Sequence, residues 1–296
     1  MKINWFSPIP PAPTAIADVT ERVIPALSRS MEVTVWTDTD DFLPERFPGV
    51  EVRSCLDVER LWPEINFADF SIYHIGNDVR FHGHYAWMLE RHPGIVVLHD
   101  YNLHELQRER HLRQPGGLAA FNRYVLRTAG AGALQAVLAC QRGQLAFEDC
   151  LEQVPLIESV TRFATGIISF NEAIKEPLRP LTRAPLFFCP LPLADRDRFP
   201  PLRQPAFTAD GPLELVMFGF LNSPNRRLDA VLEALAGFPD GRVRLTLFGN
   251  VGDQSGLQQL IGRLGLGAKV RYLGYLEQEA MENVLSASHL AVNLRN

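Results

Sequence analysis

A chain of 296 residues, 46% hydrophobic and 21% charged, has the composition of a globular protein large enough for two cores. Its net charge of −5 excludes a basic nucleic-acid footprint and a polybasic membrane surface. No apolar run approaches the roughly 20 residues that span a bilayer. Met1–Phe6 reads as a strand and not as a leader. The expected location is the cytosol, with a peripheral membrane association left open. Cys55, Cys140, Cys150 and Cys189 have no Cys-x-x-Cys or Cys/His spacing, and are expected to be reduced thiols.

Along the chain, short apolar runs at Ile3–Phe6, Val33–Trp36, Ile72–Ile75, Ile95–Leu98, Ile167–Phe170 and Leu186–Phe188 fit strands buried on both faces of a parallel sheet. Helical patterns at Ala15–Arg29, Gly83–Arg91 and Leu118–Cys150 separate them, so the alternation predicts an α/β domain. From Pro177 to Pro205 eight prolines occur in 29 residues, which predicts an extended crossover and a domain boundary near residue 205. Residues 1–205 then form one domain and 206–296 a second. The second opens with a strand at Leu213–Phe218. Leu228, Val231, Leu232 and Leu235 recur at helical spacing, and so do Leu257, Leu260, Ile261 and Leu264. Strands at Val243–Phe248, Val270–Leu273 and Leu290–Leu294, with a helix at Glu277–Ala287, complete three strand–helix units and a fourth strand.

Chemistry concentrates where strands end, because ligands of doubly wound sheets bind beyond the carboxyl ends of the strands. Phe218-Gly219 ends a strand, and a polar loop through Asn225 leads to a helix opening with Arg226 and Arg227. Cations there oppose the helix dipole, so the pair either is simply exposed or meets an anion such as a phosphate. His74 and Asn77 lie at the end of the third apolar run, and His99 with Asp100 at the end of the fourth. His99 is the best catalytic candidate, with Asp100 placed to orient an imidazole or to contact hydroxyls. His82, His84, His104 and His111 form no coherent metal set, since His82 and His84 fall at a helix start where both cannot face one ion.

The loop Gly219–Leu228 resembles the segment that opens the C-terminal domain of retaining, nucleotide-sugar-dependent glycosyltransferases of the GT-B fold, the large family (group 1 type) that includes sucrose and glycogen synthases. Leu245-Thr246-Leu247-Phe248-Gly249 and Val270–Leu276 resemble its next two strands, Phe6–Asp18 its first loop, and Val96-Val97-Leu98-His99-Asp100 its fourth-strand signature. The resemblance implies two facing Rossmann-like domains and transfer of a sugar from a nucleotide diphosphate sugar to an acceptor hydroxyl with retention. It gives Arg226, with Gly219, Asn225 and Arg227, to the donor diphosphate. Tyr275 and Leu276 go to the nucleobase, and the loop at Ala15 and Ile16 goes to the donor phosphate and sugar. His99 and Asp100 are the catalytic pair, with His74 and Asn77 on the acceptor side. Ala15 stands where these enzymes usually carry glycine, a departure that pushes a ligand back or selects another loop shape. No metal or other cofactor is needed in this scheme. The acceptor is a glycan, a lipid-linked sugar or a small molecule.

The family carries a pair of glutamates after the fourth strand, one for the sugar and one for the ribose, and Asn293-Leu294-Arg295-Asn296 resembles the approach to that segment. The expectation is a chain truncated within its second, incomplete domain, binding the donor weakly and with little or no transfer. A different class of function is a non-catalytic carbohydrate- or protein-binding module, self-associating through the uncovered fourth strand. A dinucleotide oxidoreductase is disfavoured, because neither Ser7–Thr14 nor Gly219–Arg226 supplies a Gly-x-Gly-x-x-Gly set.

Overall fold

A computed structural model describes residues 1–191, 205–206, 208, 211–222, 226–276 and 278–294. The chain divides into two compact units, Met1–Ala194 and Asp195–Asn296, so the division falls inside the proline-rich stretch.

The first unit contains, in chain order, β1 (Lys2–Phe6), α1 (Ala15–Leu27), β2 (Glu32–Thr37), β3 (Glu51–Ser54), α2 (Val58–Ile65), β4 (Phe70–Ile75), α3 (Val79–Leu89), β5 (Gly94–Leu98), α4 (His104–Leu112), α5 (Gly117–Gln141), α6 (Phe147–Gln153), α7 (Glu158–Thr161), β6 (Ala164–Ser169), α8 (Lys175–Leu178) and β7 (Leu186–Phe188). Its sheet has seven parallel strands in the order β3-β2-β1-β4-β5-β6-β7. Strand order reverses between β1 and β4, which makes that junction the natural ligand address.

β3 corrects the expectation: Glu51-Val52-Arg53-Ser54 is a half-buried edge strand without an apolar run. His74 therefore sits on β4 and His99 follows β5, not the third and fourth strands. The stretch expected as one long helix is two, α5 and α6, and α5 is itself bent at Gly130, whose φ of 87° is left-handed.

Both faces of the sheet are covered, as apolar β1 requires. Ile3 and Trp5 pack with Ile24 of α1 on one face, while Phe6 packs with Trp36, Tyr73 and residues of α2 and α3 on the other. The second face also holds Asn4, which a parallel core tolerates only because every polar atom is paired. Its amide donates to the Ile65 carbonyl at 2.8 Å and to Ser71 Oγ at 3.2 Å, and its Oδ1 accepts from Trp36 Nε1 at 2.8 Å.

The second unit contains β8 (Leu213–Phe220), α9 (Leu228–Ala236), β9 (Val243–Asn250), α10 (Gln254–Arg263), β10 (Val270–Tyr272), α11 (Gln278–Ser286) and β11 (Leu290–Ala291). Its four parallel strands run β10-β9-β8-β11, the same winding as the first sheet, with the reversal between β8 and β11. Leu232, Leu235, Leu257 and Ile261 from α9 and α10 close one face over Met217, Leu245 and Leu247. β11 is shorter than expected, although Val292 still donates its N–H to the Val216 carbonyl at 2.8 Å. The fold is thus a doubly wound α/β arrangement of two Rossmann-like parallel sheets, the second smaller. No helix among the described residues is long and apolar enough to cross a membrane.

All four tryptophans, Trp5, Trp36, Trp62 and Trp87, lie in the first unit, so their fluorescence reports that unit alone. Asn4→Leu orphans the Trp36 N–H, removes a donor from Ser71 Oγ and leaves the Ile65 carbonyl only the longer bond from the Ala68 N–H at 3.4 Å. It should lower the unit's unfolding free energy by about 2–4 kcal/mol in a urea titration, since each orphaned buried group costs about 1–3 kcal/mol. A variant as stable as the wild type would contradict this network.

Candidate functional site

In the first unit, β4 and β5 lie in register, with His74 opposite Val97 and Ile75 opposite Leu98. This brings the next residue of β5's exit, His99, beside β4, and its N–H donates to the Ile75 carbonyl at 2.9 Å. The two imidazoles then meet directly, His74 Nδ1 and His99 Nε2 lying 2.9 Å apart. His74 is 1% exposed, with its ring centroid 4.6 Å from that of Trp5. Its Nε2 is buried and has no hydrogen-bond partner. His99 is half-buried and flanked by the Phe170 ring at 5.3 Å.

A third imidazole joins them. His82 lies in the first turn of α3, and its Nδ1 donates to the His74 carbonyl at 2.9 Å. His84 points elsewhere, its Nε2 donating to the Cys55 carbonyl at 3.0 Å. Gly76 makes the close approach possible. A Cβ there would lie 2.8 Å from His82 Nε2 and 3.0 Å from Asp100 Oδ2.

Burial sets the charge of this cluster. Desolvation, with the neighbouring His99 and His82 rings, holds His74 well below the ordinary imidazole value. Desolvation first, and His82 second, takes His99 down to about 3. It takes His82 down to about 4, against the opposing pull of the His74 carbonyl and Asp78. The Asp100 carboxyl is raised by loss of solvation, partly offset by the Asn77 N–H that donates to its Oδ2 at 2.9 Å. Asn77 is fully engaged: its side-chain amide donates to Glu105 Oε2 at 2.9 Å and its Oδ1 accepts from the Leu106 N–H at 3.1 Å. It ties the β4 exit to the start of α4. Ala15 and Ile16 form the first turn of α1 after the β1 loop, where Thr14 caps the helix by accepting from the Ile16 N–H.

In the second unit the reversal point is bridged by a side chain. Arg226, half-buried before α9, donates through a guanidinium nitrogen to Asn293 Oδ1 on the segment after β11. The two arginines precede the helix and do not open it: Arg227 sits at the cap with φ of 49°, and α9 starts at Leu228. Arg227 is exposed and pairs with Asp229 at 3.6 Å. Asn225 lies outside the described residues.

Gly219 and Gly249 face each other across β8 and β9. A Cβ on Gly249, whose φ is 107°, would fall 2.3 Å from the Gly219 carbonyl oxygen. Around this pair the strand ends are knitted together. Gly249 N–H donates to the Gly274 carbonyl at 2.7 Å, and Tyr272 Oη donates to the Gly249 carbonyl at 2.7 Å. Tyr275, 80% exposed, and half-buried Leu276 follow immediately, and Phe220 is 65% exposed at the end of β8. The carboxyl edge of this sheet therefore presents a held guanidinium and two uncovered aromatic rings.

Three residues of these clusters escape sequence reasoning: His82, Phe170 and Asn293. His82 carries the only available signal, a histidine on the buried stripe of a helix. Among the described residues no group of three or more His, Cys, Asp or Glu side chains could hold a metal ion.

No family model matches the chain, and no curated protein does. Several solved structures are similar to it. The Anabaena protein Alr3699/HepE in complex with UDP-glucose is 18% identical over 100% of this chain and 74% of that one, with a TM-score of 0.57. The lipopolysaccharide outer core galactosyltransferase WaaB in its apo form is 13% identical over 98% and 73%, with a TM-score of 0.54. WaaG, a glycosyltransferase involved in lipopolysaccharide biosynthesis, is 10% identical over 100% and 75%, with a TM-score of 0.55. At these identities the likeness is one of fold, and the fold is that of GT-B glycosyltransferases.

Below about pH 6.5 an unfolded chain takes up protons that His82 and His99, near 4 and near 3 when folded, do not. Their contribution to stability is complete above the unfolded value and is lost as pH falls towards the folded values. The raised carboxyls of Asp38 and Asp100 act in the opposite sense. Tryptophan-monitored unfolding free energy should therefore fall between about pH 7 and about pH 4.5, and less steeply in His82→Gln. Identical profiles for both proteins would refute the assignment. In the second unit, Gly249→Ala should speed hydrogen exchange at the β8 and β9 amides, the strain amounting to about 1–3 kcal/mol. Unchanged protection would show that the strand ends tolerate a side chain.

Proposed function

We propose that this chain is a glycosyltransferase that takes a sugar from a nucleotide diphosphate donor and passes it to an acceptor hydroxyl with retention. The observation that carries the reading is Arg226, held by Asn293 across the strand-order reversal of a Rossmann-like sheet, at the address where such sheets bind phosphates. The GT-B fold supports it, and so does the crystallisation of HepE, a structure of that fold, with UDP-glucose and with UDP and glucose.

In this scheme the bond from the anomeric carbon to the diphosphate breaks with its electron pair going to the leaving phosphate oxygen, the acceptor oxygen bonds to that carbon, and the acceptor's proton passes to the leaving phosphate, on which negative charge has built up. Arg226, with the backbone of the Gly219–Arg227 loop, is the group that offsets that charge, a larger effect in the transition state than in the bound donor. The scheme routes no step through a metal. Tyr275 and Leu276 flank the nucleobase. His99 and Asp100, with the loop at Ala15 and Ile16, attend the sugar and the acceptor hydroxyl. Asn77 contributes by fixing the β4 exit, because its polar atoms are already engaged.

A thermal-shift comparison of UDP, GDP, ADP and CMP tests the donor site. One nucleoside diphosphate should raise the melting temperature, since a ligand at a hundred times its Kd adds about 2.7 kcal/mol to a native state that alone binds it. Arg226→Ala should weaken that ligand about tenfold or more, because a hydrogen bond to a charged group contributes about 1.5–3 kcal/mol. Silence with every nucleotide, or an equal shift in the variant, would sink the proposal.

A further inference from the structure

We propose that His74 is a positioning residue that fixes His99 in the Nδ1–H tautomer, so that His99 meets a ligand oxygen as a hydrogen-bond donor and not as a general base. The inference rests on the reading above that His99 faces the ligand. His74 itself is sealed behind it and touches no ligand.

An uncharged imidazole carries one N–H and one lone pair, so each hydrogen bond it makes decides where its proton lies. His82 is settled first. Its Nδ1 faces the His74 carbonyl, which can only accept, so the His82 proton is on Nδ1. That bond also pins the backbone of His74 at the end of β4.

Between His74 Nδ1 and His99 Nε2, 2.9 Å apart, one ring must donate. If His99 donated, the proton of His74 would sit on Nε2, which is buried without a partner. If His74 donates, the unpaired group at Nε2 is a lone pair. Among backbone groups, buried N–H donors without an acceptor are rarer in folded proteins than under-satisfied acceptors, and the same preference applied to this ring leaves its lone pair, and not its proton, unpaired. The packing therefore selects His74 as the donor.

The consequence for His99 is direct. Its Nε2 is occupied as an acceptor, and its only proton is on Nδ1, which has no hydrogen-bond partner among the described residues. A cationic relay is disfavoured by the same burial, which holds all three rings below the ordinary imidazole range. Accepting the proton of an attacking hydroxyl requires a bare nitrogen, and His99 has none to spare. Its chemistry is donation to an oxygen, of which a sugar hydroxyl is the class that fits the proposed function.

The test is long-range proton–nitrogen correlation spectroscopy on the full chain with labelled histidine, the His99 signals being identified by their loss in His99→Gln. The wild type should show the His99 proton on Nδ1. His74→Leu should move part of that population to Nε2. His74→Asn should restore it, because its amide can donate from the place of Nδ1. A wild-type proton on Nε2, or an unchanged tautomer in His74→Leu, would overturn the proposal, and the wild-type spectrum decides alone if the leucine variant does not fold. With a nucleotide sugar that turns over, His74→Leu should lower kcat about tenfold, the value of one hydrogen bond, with KM nearly unchanged and with rescue by His74→Asn. Absence of turnover in every form would overturn the sugar-transfer reading, while the spectra would still decide the role of His74.

Discussion

Reversal of strand order within a parallel sheet is the constraint on which both units depend. Parallel strands need crossovers, and the crossovers lay helices over the sheet, so strands buried on both faces are mostly apolar and admit a polar residue such as Asn4 only where its atoms are paired. Polar chemistry is thereby expelled to the strand ends, and the reversal parts two loops there. In the first sheet the parting lies between β1 and β4, in the second between β8 and β11. Most candidate residues stand at or beside one of these two points, whereas Tyr275 and Leu276 follow the edge strand β10. The first holds His74 and Asn77, with His99 one strand further, and the second is spanned by Arg226 and Asn293.

The two junctions solve opposite problems. At the first, imidazoles are taken out of water and kept uncharged, with burial as the leading cause. Such a site offers directional hydrogen bonds without a field, which suits neutral hydroxyl groups. At the second, a guanidinium, which stays charged in any protein environment, is kept at a half-buried position and oriented by one amide. Fixing a cation before a ligand arrives means that little reorganisation is left when charge develops.

The fold was largely readable from the sequence because double-sided burial writes itself as apolar runs, and α9 and α10 as spacings of three and four. β3 escaped that logic. An edge strand with one neighbour, Glu51–Ser54 has no need of apolar residues, and its Arg53 rests on the Trp36 ring instead. The ends of elements were less legible than their middles. Nothing local distinguishes an arginine in a first helical turn from one before it, and the left-handed Arg227 places the start of α9 at Leu228, two residues later than expected.

The site was legible by address and not by partner. His99 and Arg226 could be named because they follow strands. Asn293 lies 67 residues from Arg226, and a bond over that separation exists only once β11 has paired with β8. The His82 contact is of the same kind: a ring on α3 reaches the carbonyl of His74, 8 residues earlier, because α3 folds back over β4. The most direct measurement of the whole account is a crystal structure of this chain with the nucleoside diphosphate that stabilises it most. The account predicts the diphosphate against Arg226 and the Gly219 loop, at the carboxyl ends of β8 and β11. A nucleotide bound elsewhere on the chain would contradict it.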